Sequence, residues 1–233
     1  MKHTEKYWDQ ETECMPKEKL MRLQLERLKK TVAYVYGNVP YYKSKMVHIG
    51  IEPGDIRSLD DLQKLPITTK QDMRDSYPFG MFAAPLSNIV RIHASSGTTG
   101  KQTVVGYTEK DIGVWSDCMA RCLVMANADK NSLIQVSYGY GLFTGGLGTH
   151  YGAERLGASV IPSSSGNTMR QITMLVDFGV THLCCTPSYA LYIAEMLGEA
   201  GYSKKDLKLI SGCFGAEPWT GGMRNEIENG LGL

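Results

Sequence analysis

The sequence has almost no surplus of charge of either sign. Its 233 residues carry 25 Lys and Arg against 24 Asp and Glu, a formal net charge of +1. A nucleic-acid module is normally clearly basic, so the balance argues against one. It argues equally against an acidic disordered tail, because 42% of the residues are apolar and can build a core. No run approaches the roughly 18 uninterrupted apolar residues that suggest a membrane span. The first residues, Met1-Lys2-His3-Thr4-Glu5-Lys6, are polar and hold no apolar signal core, so no export is implied. Internal repeats and low-complexity segments are lacking. The six cysteines, Cys14, Cys118, Cys122, Cys184, Cys185 and Cys213, contain no Cys-x-x-Cys pair, and their spacing gives no support to a zinc site. They read as reduced, buried thiols, and the expected location is cytoplasmic.

What the sequence does have is glycine. Its 25 glycines are about one and a half times the average share. They cluster between Gly97 and Gly157 and again after Gly212, as functional loops do. The length fits one large domain or two small ones.

Residues 1–87 read as a helical segment. Pro16 can start a helix, and Met21, Leu25, Leu28, Val32 and Val35 recur on one face. Gly37-Asn38 and then Pro40 end it, and a short helix is expected over residues 42–49. Ser58 with Asp61, and Thr69 with Asp72, look like capping boxes with Asp in place of Glu. Near Asn88 the pattern changes. Residues 89–94 read as a strand, and 103–107 as its hairpin partner across a Gly-rich loop. Residues 88–233 then alternate. Strands are expected at 133–137, 158–161, 182–185 and 207–213. Helices are expected at 108–126, 146–156, 168–178 and 187–199, and from Pro218. The pattern predicts an α/β fold, a mainly parallel sheet with helices on both faces. The chain stops where another strand is due, so a truncated domain of a longer enzyme is expected.

The strongest chemical signal is Ser95-Ser96-Gly97-Thr98-Thr99-Gly100-Lys101. Four hydroxyls, two glycines and a lysine fall between two strands. Glycine lets a backbone approach an anion and present consecutive N–H groups to phosphate oxygens. Hydroxyls add donors, and lysine adds a point charge. It is not a Walker A loop, because Ser95 stands at the required glycine and Gln102 follows the lysine. A flexible Ser/Gly hairpin tip is the alternative.

Ser-Ser-Gly-Thr-Thr-Gly-Lys resembles the phosphate loop of the adenylate-forming superfamily of acyl-CoA synthetases, adenylation domains and luciferases. More narrowly, the chain is similar over essentially its whole length to phenylacetate–coenzyme A ligases. Leu65-Pro66-Ile67-Thr68-Thr69-Lys70, Tyr77-Pro78-Phe79-Gly80 and Arg91-Ile92-His93-Ala94 carry part of the likeness. The more specific pieces are Tyr138-Gly139-Tyr140-Gly141-Leu142-Phe143-Thr144-Gly145-Gly146 and Phe214-Gly215-Ala216-Glu217-Pro218-Trp219. Gln102 departs from the usual Gly-Lys-Pro.

The resemblance implies the large N-terminal domain of a ligase with ATP, Mg²⁺ and coenzyme A, the last as co-substrate. ATP and an aryl-acetate carboxylate would give an acyl adenylate and pyrophosphate, and coenzyme A would then displace AMP. In this reading Ser95 to Lys101 hold the phosphates, with Thr98 and Lys101 as catalytic members. Tyr138, Phe143, Gly145 and Gly146 form an aryl pocket, and Gly215, Ala216, Glu217 and Pro218 lie along adenine and ribose. Ordinary core packing is the alternative for Tyr138 and Phe143, and a plain helix start for Glu217-Pro218. His93, His150 and His182 read as structural. The implied partners are an aryl acid, ATP and coenzyme A, with no nucleic acid or membrane, and a homodimer is compatible. The family's Tyr-Gly-x-x-Glu segment, ribose-binding Asp, hinge and small C-terminal domain are absent, so this chain alone should not turn over. A non-catalytic nucleotide- or aryl-acid-binding module is the second reading.

Overall fold

The computed structural model describes residues 7–95 and 100–233. Two compact units divide the chain, Gln10–Asp111 on one hand and residues 7–9 with Ile112–Leu233 on the other. Among the described residues no helix is long and apolar enough to cross a membrane.

The first unit is helical and ends in a hairpin. It begins with α1 (Gln10–Glu13) and α2 (Lys17–Asn38). Pro16 stands at the N-cap of α2, as its fixed φ suits. Only Val32 of the expected apolar stripe is buried, and Met21 is exposed. Val32 meets Met46 and Ile56 in a small core flanked by Leu28, Tyr36 and Leu65. The helix runs through Gly37 and stops at Val39, which is extended at φ −117° as a residue before proline prefers. Pro40 then opens α3 (Pro40–His48), two residues ahead of the expected start. Both capping boxes form, and that of Thr69 and Asp72 begins α4 (Lys70–Asp75). Strands β1 (Ile89–Ala94) and β2 (Val104–Thr108) pair antiparallel. The change of sequence pattern at residues 87/88 is not where the units part. They part at 111/112, because β1 and β2 pair only with each other.

A further capping box starts α5 (Glu109–Met125): the Asp111 carboxylate accepts from the Thr108 backbone N–H and hydroxyl at 2.9 and 2.7 Å. The second unit continues through β3 (Leu133–Val136), α6 (Thr144–Leu156), β4 (Ser159–Ile161), α7 (Thr168–Asp177), β5 (His182–Cys185), α8 (Pro187–Met196), β6 (Ser211–Phe214) and α9 (Gly221–Leu231). The four strands form a parallel sheet in the order β4-β3-β5-β6. Alternate residues feed opposite faces. Ile134, Val136 and Cys184 pack with Ala120, Leu123, Ala153 and Leu156 of α5 and α6. Leu183 and Cys185 pack with Ile172, Ile193 and Ile227 of α7, α8 and α9. The expected parallel sheet with helices on both faces is therefore present.

Two boundaries move for physical reasons. Residues 207–210 are not strand: Leu207 and Leu209 pack into the α7–α9 core, and ladder pairing begins with Ser211 opposite His182. The last helix starts at Gly221, not Pro218, because the Thr220 side chain caps it by accepting from Met223 N–H at 3.2 Å. The cysteines depart from expectation as well. All are free thiols, but only Cys184 and Cys185 are buried, while Cys14, Cys118 and Cys122 are exposed. Residues 118 and 122 share the outward side of α5.

Helices α5 and α6 approach closely at Gly152. A Cβ there would lie 2.4 Å from Met119 Cβ and 3.0–3.1 Å from the α5 backbone. Gly152→Ala should therefore destabilise by about 1–3 kcal/mol, an overpacking effect. Gly113→Ala, on α5 with nothing within 4 Å, should instead stabilise by up to about 1 kcal/mol through helix propensity. Urea unfolding of the two variants measures both signs, and a loss at both positions would mean that propensity and space are not what separates them.

Candidate functional site

In the second unit the open edge of the sheet is built by the loops at the C-terminal ends of the strands. β3 sits between β4 and β5, so its two neighbouring crossovers leave on opposite faces, and ligands of open α/β sheets bind beyond such a point. Beyond β3 comes Ser137-Tyr138-Gly139. The half-buried Tyr138 hydroxyl donates to the Cys185 carbonyl at 2.6 Å, which fixes the ring across the ends of β3 and β5. Burial pushes its phenol well above the usual range, so it stays protonated as a donor.

Tyr138 and Phe143 form a wall shared by two cavities. One, of about 470 Å³, is lined by Trp115, Met119, Tyr138, Phe143, Gly145, Gly148, Cys213, Gly215 and Ala216 among others. It brings together most of the segment expected to take an aryl ring and two residues of the segment expected along the nucleotide. The other, of similar volume, is lined by Ser137, Ser165, Gly166, Thr186, Ser188, Tyr189 and Tyr192 as well. Phe143 is 51% exposed, which overturns core packing as its role.

The glycines divide. A Cβ at Gly145 would meet the Phe143 ring at 2.6 Å, so the missing side chain makes room for that ring. Gly146 does not open space for a ligand. A Cβ there would lie 2.7 Å from the Gly139 carbonyl, and the glycine lets the start of α6 pack on the turn after β3. Gly148, which the sequence reading passed over, accommodates Trp115: its Cβ would fall 2.5 Å from the indole. Trp115 and Met119 were also missed. Their signal was present as an i, i+4 apolar pair on α5 facing the glycines of α6.

The loop after β6 is held rigidly. Ala216 adopts φ +74°, a left-handed conformation that costs a non-glycine residue of order 1 kcal/mol or more. Beside it the Glu217 carboxylate accepts from the backbone N–H of Ser188 at 2.6 Å. Ser188 is in the first turn of α8, where unpaired N–H groups and the helix dipole favour an anion. The Ser188 hydroxyl and backbone N–H hold the Glu217 carboxyl below its ordinary range. Glu217 thus does serve a helix start, but of α8, 29 residues earlier in sequence. Neither Glu217 nor Pro218 lines the cavity of Trp115, Tyr138 and Phe143; Gly215 and Ala216 do. The loop after β4 is pinned likewise. Gln171 of α7 donates to the Ser164 and Gly166 carbonyls at 2.9 and 2.8 Å.

The glycine-rich loop belongs to the first unit. Ser96, Gly97, Thr98 and Thr99 lie outside the described residues. Its two ends are clamped: Ser95 N–H donates to the Thr103 carbonyl at 3.0 Å, and Thr103 N–H to Ser95 Oγ at 2.9 Å. Gly100 takes φ +135°, and a Cβ there would lie 3.7–3.9 Å from the Arg74 guanidinium. Lys101 Nζ lies 5.6 Å from the centroid of Tyr77. A second cation thus stands at the loop base, unannounced by any motif. The histidines are placed as structural groups. His93 is buried edge-on to Tyr107, His182 is buried beside the Thr181 hydroxyl, and His150 lies between Tyr140 and Glu154.

No protein-family profile matches the chain. Individual proteins do. Over 217 residues, 93% of the chain, it is 53% identical to the phenylacetate-coenzyme A ligase of Escherichia coli and covers 50% of it. Over 223 residues, 96% of the chain, it is 49% identical to the enzyme of that name from Thermus thermophilus, again covering 50%. The chain resembles one half of a phenylacetate–coenzyme A ligase. A solved structure of 2-hydroxyisobutyryl-CoA ligase, in complex with 2-HIB-AMP and CoA, matches 100% of the chain with a TM-score of 0.94 and 28% identity, and 51% of that ligase is covered. The α/β fold is thus that of the corresponding portion of a CoA ligase, and the chain spans about half the length of the curated relatives it matches.

Glu217 gives this site a pH signature. Its folded-state pKa is depressed, so its contribution to stability is present above the unfolded value and is lost as pH falls through the folded one. Glu217→Gln should therefore be less stable than the parent at pH 7, and the difference should narrow as pH is lowered toward about 3, below the ordinary glutamate value. Urea unfolding of both proteins across that range measures it. A difference that stays constant with pH would assign the effect to packing.

Proposed function

We propose that the chain supplies the acid-binding and nucleotide-binding residues of an ATP-dependent ligase. In this reading it activates phenylacetate, or a related aryl acid, as an acyl adenylate and passes the acyl group to coenzyme A. The observation that carries the reading is a single cavity. Tyr138, Phe143 and Trp115 line it from one side and Gly215-Ala216 from another, in a chain about half identical to phenylacetate-coenzyme A ligases along nearly its whole length. Aromatic walls suit a phenyl ring, and small residues let a flat base lie against backbone.

The chemistry needs little covalent help. An acid carboxylate oxygen attacks the α-phosphorus of ATP and pyrophosphate leaves; the thiol of coenzyme A then attacks the acyl carbon and AMP leaves. Both partners of the first step are anions, so positioning and charge neutralisation dominate. Ser95, Gly100 and Lys101, with Ser96 to Thr99, would hold the phosphates, and Thr98 and Lys101 would meet the charge that develops on the leaving group. Arg74 adds a second positive charge at the loop base. Among the described residues no group of three His, Cys, Asp or Glu side chains is placed to hold a metal ion; in this reading Mg²⁺ would sit on the nucleotide phosphates. Glu217 would also serve as a loop anchor, its bond to Ser188 keeping Ala216 in its left-handed turn. The proposed setting is cytoplasmic, with small molecules rather than nucleic acid or membrane as partners.

Calorimetric titration of the chain with a non-hydrolysable phenylacetyl-adenylate analogue tests the reading. Binding is expected. Phe143→Ala should weaken it about ten- to a hundredfold, the worth of a lost aromatic contact, while AMP binding holds. The loss should be smaller for an indoleacetyl analogue, whose second ring fills the vacated space. Equal losses for both analogues and for AMP would remove Phe143 from the acid pocket. No binding of the analogue at all would count against the ligase reading.

Lys101→Ala separates the loop from the cavity. It should weaken ATP and pyrophosphate binding and leave the adenylate analogue, which has no β- or γ-phosphate, unaffected. An unchanged ATP affinity would remove Lys101 from the phosphate site.

A further inference from the structure

Cys184 and Cys213 are register partners on the adjacent parallel strands β5 and β6. Both face the α5–α6 side of the sheet, where Cys213 packs against the core that contains Cys184. Neighbouring strands lie about 4.7–4.9 Å apart, within the roughly 4.4–6.8 Å between Cα atoms that a disulfide spans. Neither thiol is oxidised in this structure. Their exposure differs. Cys184 is fully buried, whereas Cys213 borders both the cavity of Tyr138 and Phe143 and a second one, of about 420 Å³, beside Arg224 and Glu228.

We propose that Cys213 and Cys184 form a peroxide-sensitive dithiol, in which Cys213 is the attacking sulfur and Cys184 the resolving one. The neighbouring Cys184 thiol draws Cys213 below its ordinary value despite its burial, while Cys213 and burial together push Cys184 up. The other titratable groups around Cys213 are Cys185 on β5, Tyr138 after β3, Cys122 on α5, and Arg224 and Glu228 on α9. Cys185 and Tyr138 are themselves held protonated by burial. Thiolate is the form that reacts, so Cys213 is the sulfur available to an oxidant entering either cavity.

The chemistry closes with a hydroperoxide as oxidant. The Cys213 thiolate attacks one peroxide oxygen, the O–O bond breaks, and hydroxide leaves, giving a sulfenic acid. The Cys184 sulfur attacks that sulfenic sulfur, an S–S bond forms, and its proton leaves with the sulfenic oxygen as water. Two thiols and one hydrogen peroxide become one disulfide and two waters; the sulfurs are oxidised and the peroxide oxygens reduced. The bond would join β5 to β6 at the wall of the proposed acid cavity. The inference stands on the strand register and the cavities, and does not depend on what the cavity binds.

Peptide mapping of the folded chain after brief treatment with dilute hydrogen peroxide tests it. The expected product is a Cys184–Cys213 disulfide, formed while the exposed Cys14 and Cys118 remain thiols. In Cys184→Ser, dimedone should trap a sulfenic acid at Cys213. Iodoacetamide at pH 7 should alkylate Cys213 in the parent at least severalfold faster than Cys14 or Cys118, a readout that needs no variant to fold. A disulfide from Cys213 to Cys122, oxidation to sulfinic acid with no disulfide, or alkylation of Cys213 no faster than of Cys14 would each overturn the proposal.

Discussion

The position of β3 between β4 and β5 decides where everything else can go. The chain leaves β3 toward one neighbour, returns past it to the other, and each crossover must be right-handed. The helices are therefore forced apart, α5 and α6 covering one face and α7, α8 and α9 the other. At the C-terminal end of β3 neither set closes over the sheet. Tyr138, the loop after β4 and the loop after β6 all emerge into that opening. An irregular edge of this kind exposes backbone groups that a strand or helix would otherwise satisfy. Three side chains meet part of that demand: Tyr138 on the Cys185 carbonyl, Gln171 on the Ser164 and Gly166 carbonyls, and Glu217 on the Ser188 N–H.

Two of these loops, after β4 and after β6, hold most of the backbone strain. Ser164, Asn167 and Ala216 have φ of +62°, +47° and +74°, while Asn127 is the other described non-glycine residue with positive φ. Each costs of order 1–3 kcal/mol and persists only where its surroundings fix it. Gln171 fixes the first loop from α7. Glu217 fixes the last from its own side, with its carboxylate seated on the start of α8. The parts of the wall that these loops build are consequently fixed in advance, which would reduce the ordering that a bound molecule imposes.

The sequence made the alternation of strands and helices legible, because burial on both faces of a parallel sheet writes itself into short apolar runs such as His182–Cys185. The hairpin and the capping boxes were legible for a different reason: their partners lie within a few residues. Leu207 and Leu209 misled, since an apolar alternation packs into a core equally well without joining a ladder. Glu217 next to Pro218 misled too. A local reading assigned the acid to the helix just after it, whereas its donor is 29 residues upstream and comes close only once β5 and β6 pair. The apolar pair Trp115 and Met119 was visible as helix periodicity, but nothing local said that this face would border a cavity rather than a core.

The cavity has one firm wall and one yielding wall, and the glycines of α6 account for both. Gly148 and Gly152 let α5 approach so closely that Trp115 and Met119 pack directly against α6. Tyr138 is tied by its hydroxyl. Phe143 differs: it precedes α6, is half exposed, and its ring lies over Gly145, where a side chain would block it. If the proposed acid binds here, its length along the wall of Trp115 and Tyr138 would be set by close packing, while its breadth would be met by the half-exposed Phe143 ring. Selection among acids on this scaffold would accordingly be strict for the reach from ring to carboxylate and permissive for substituents on the side of Phe143.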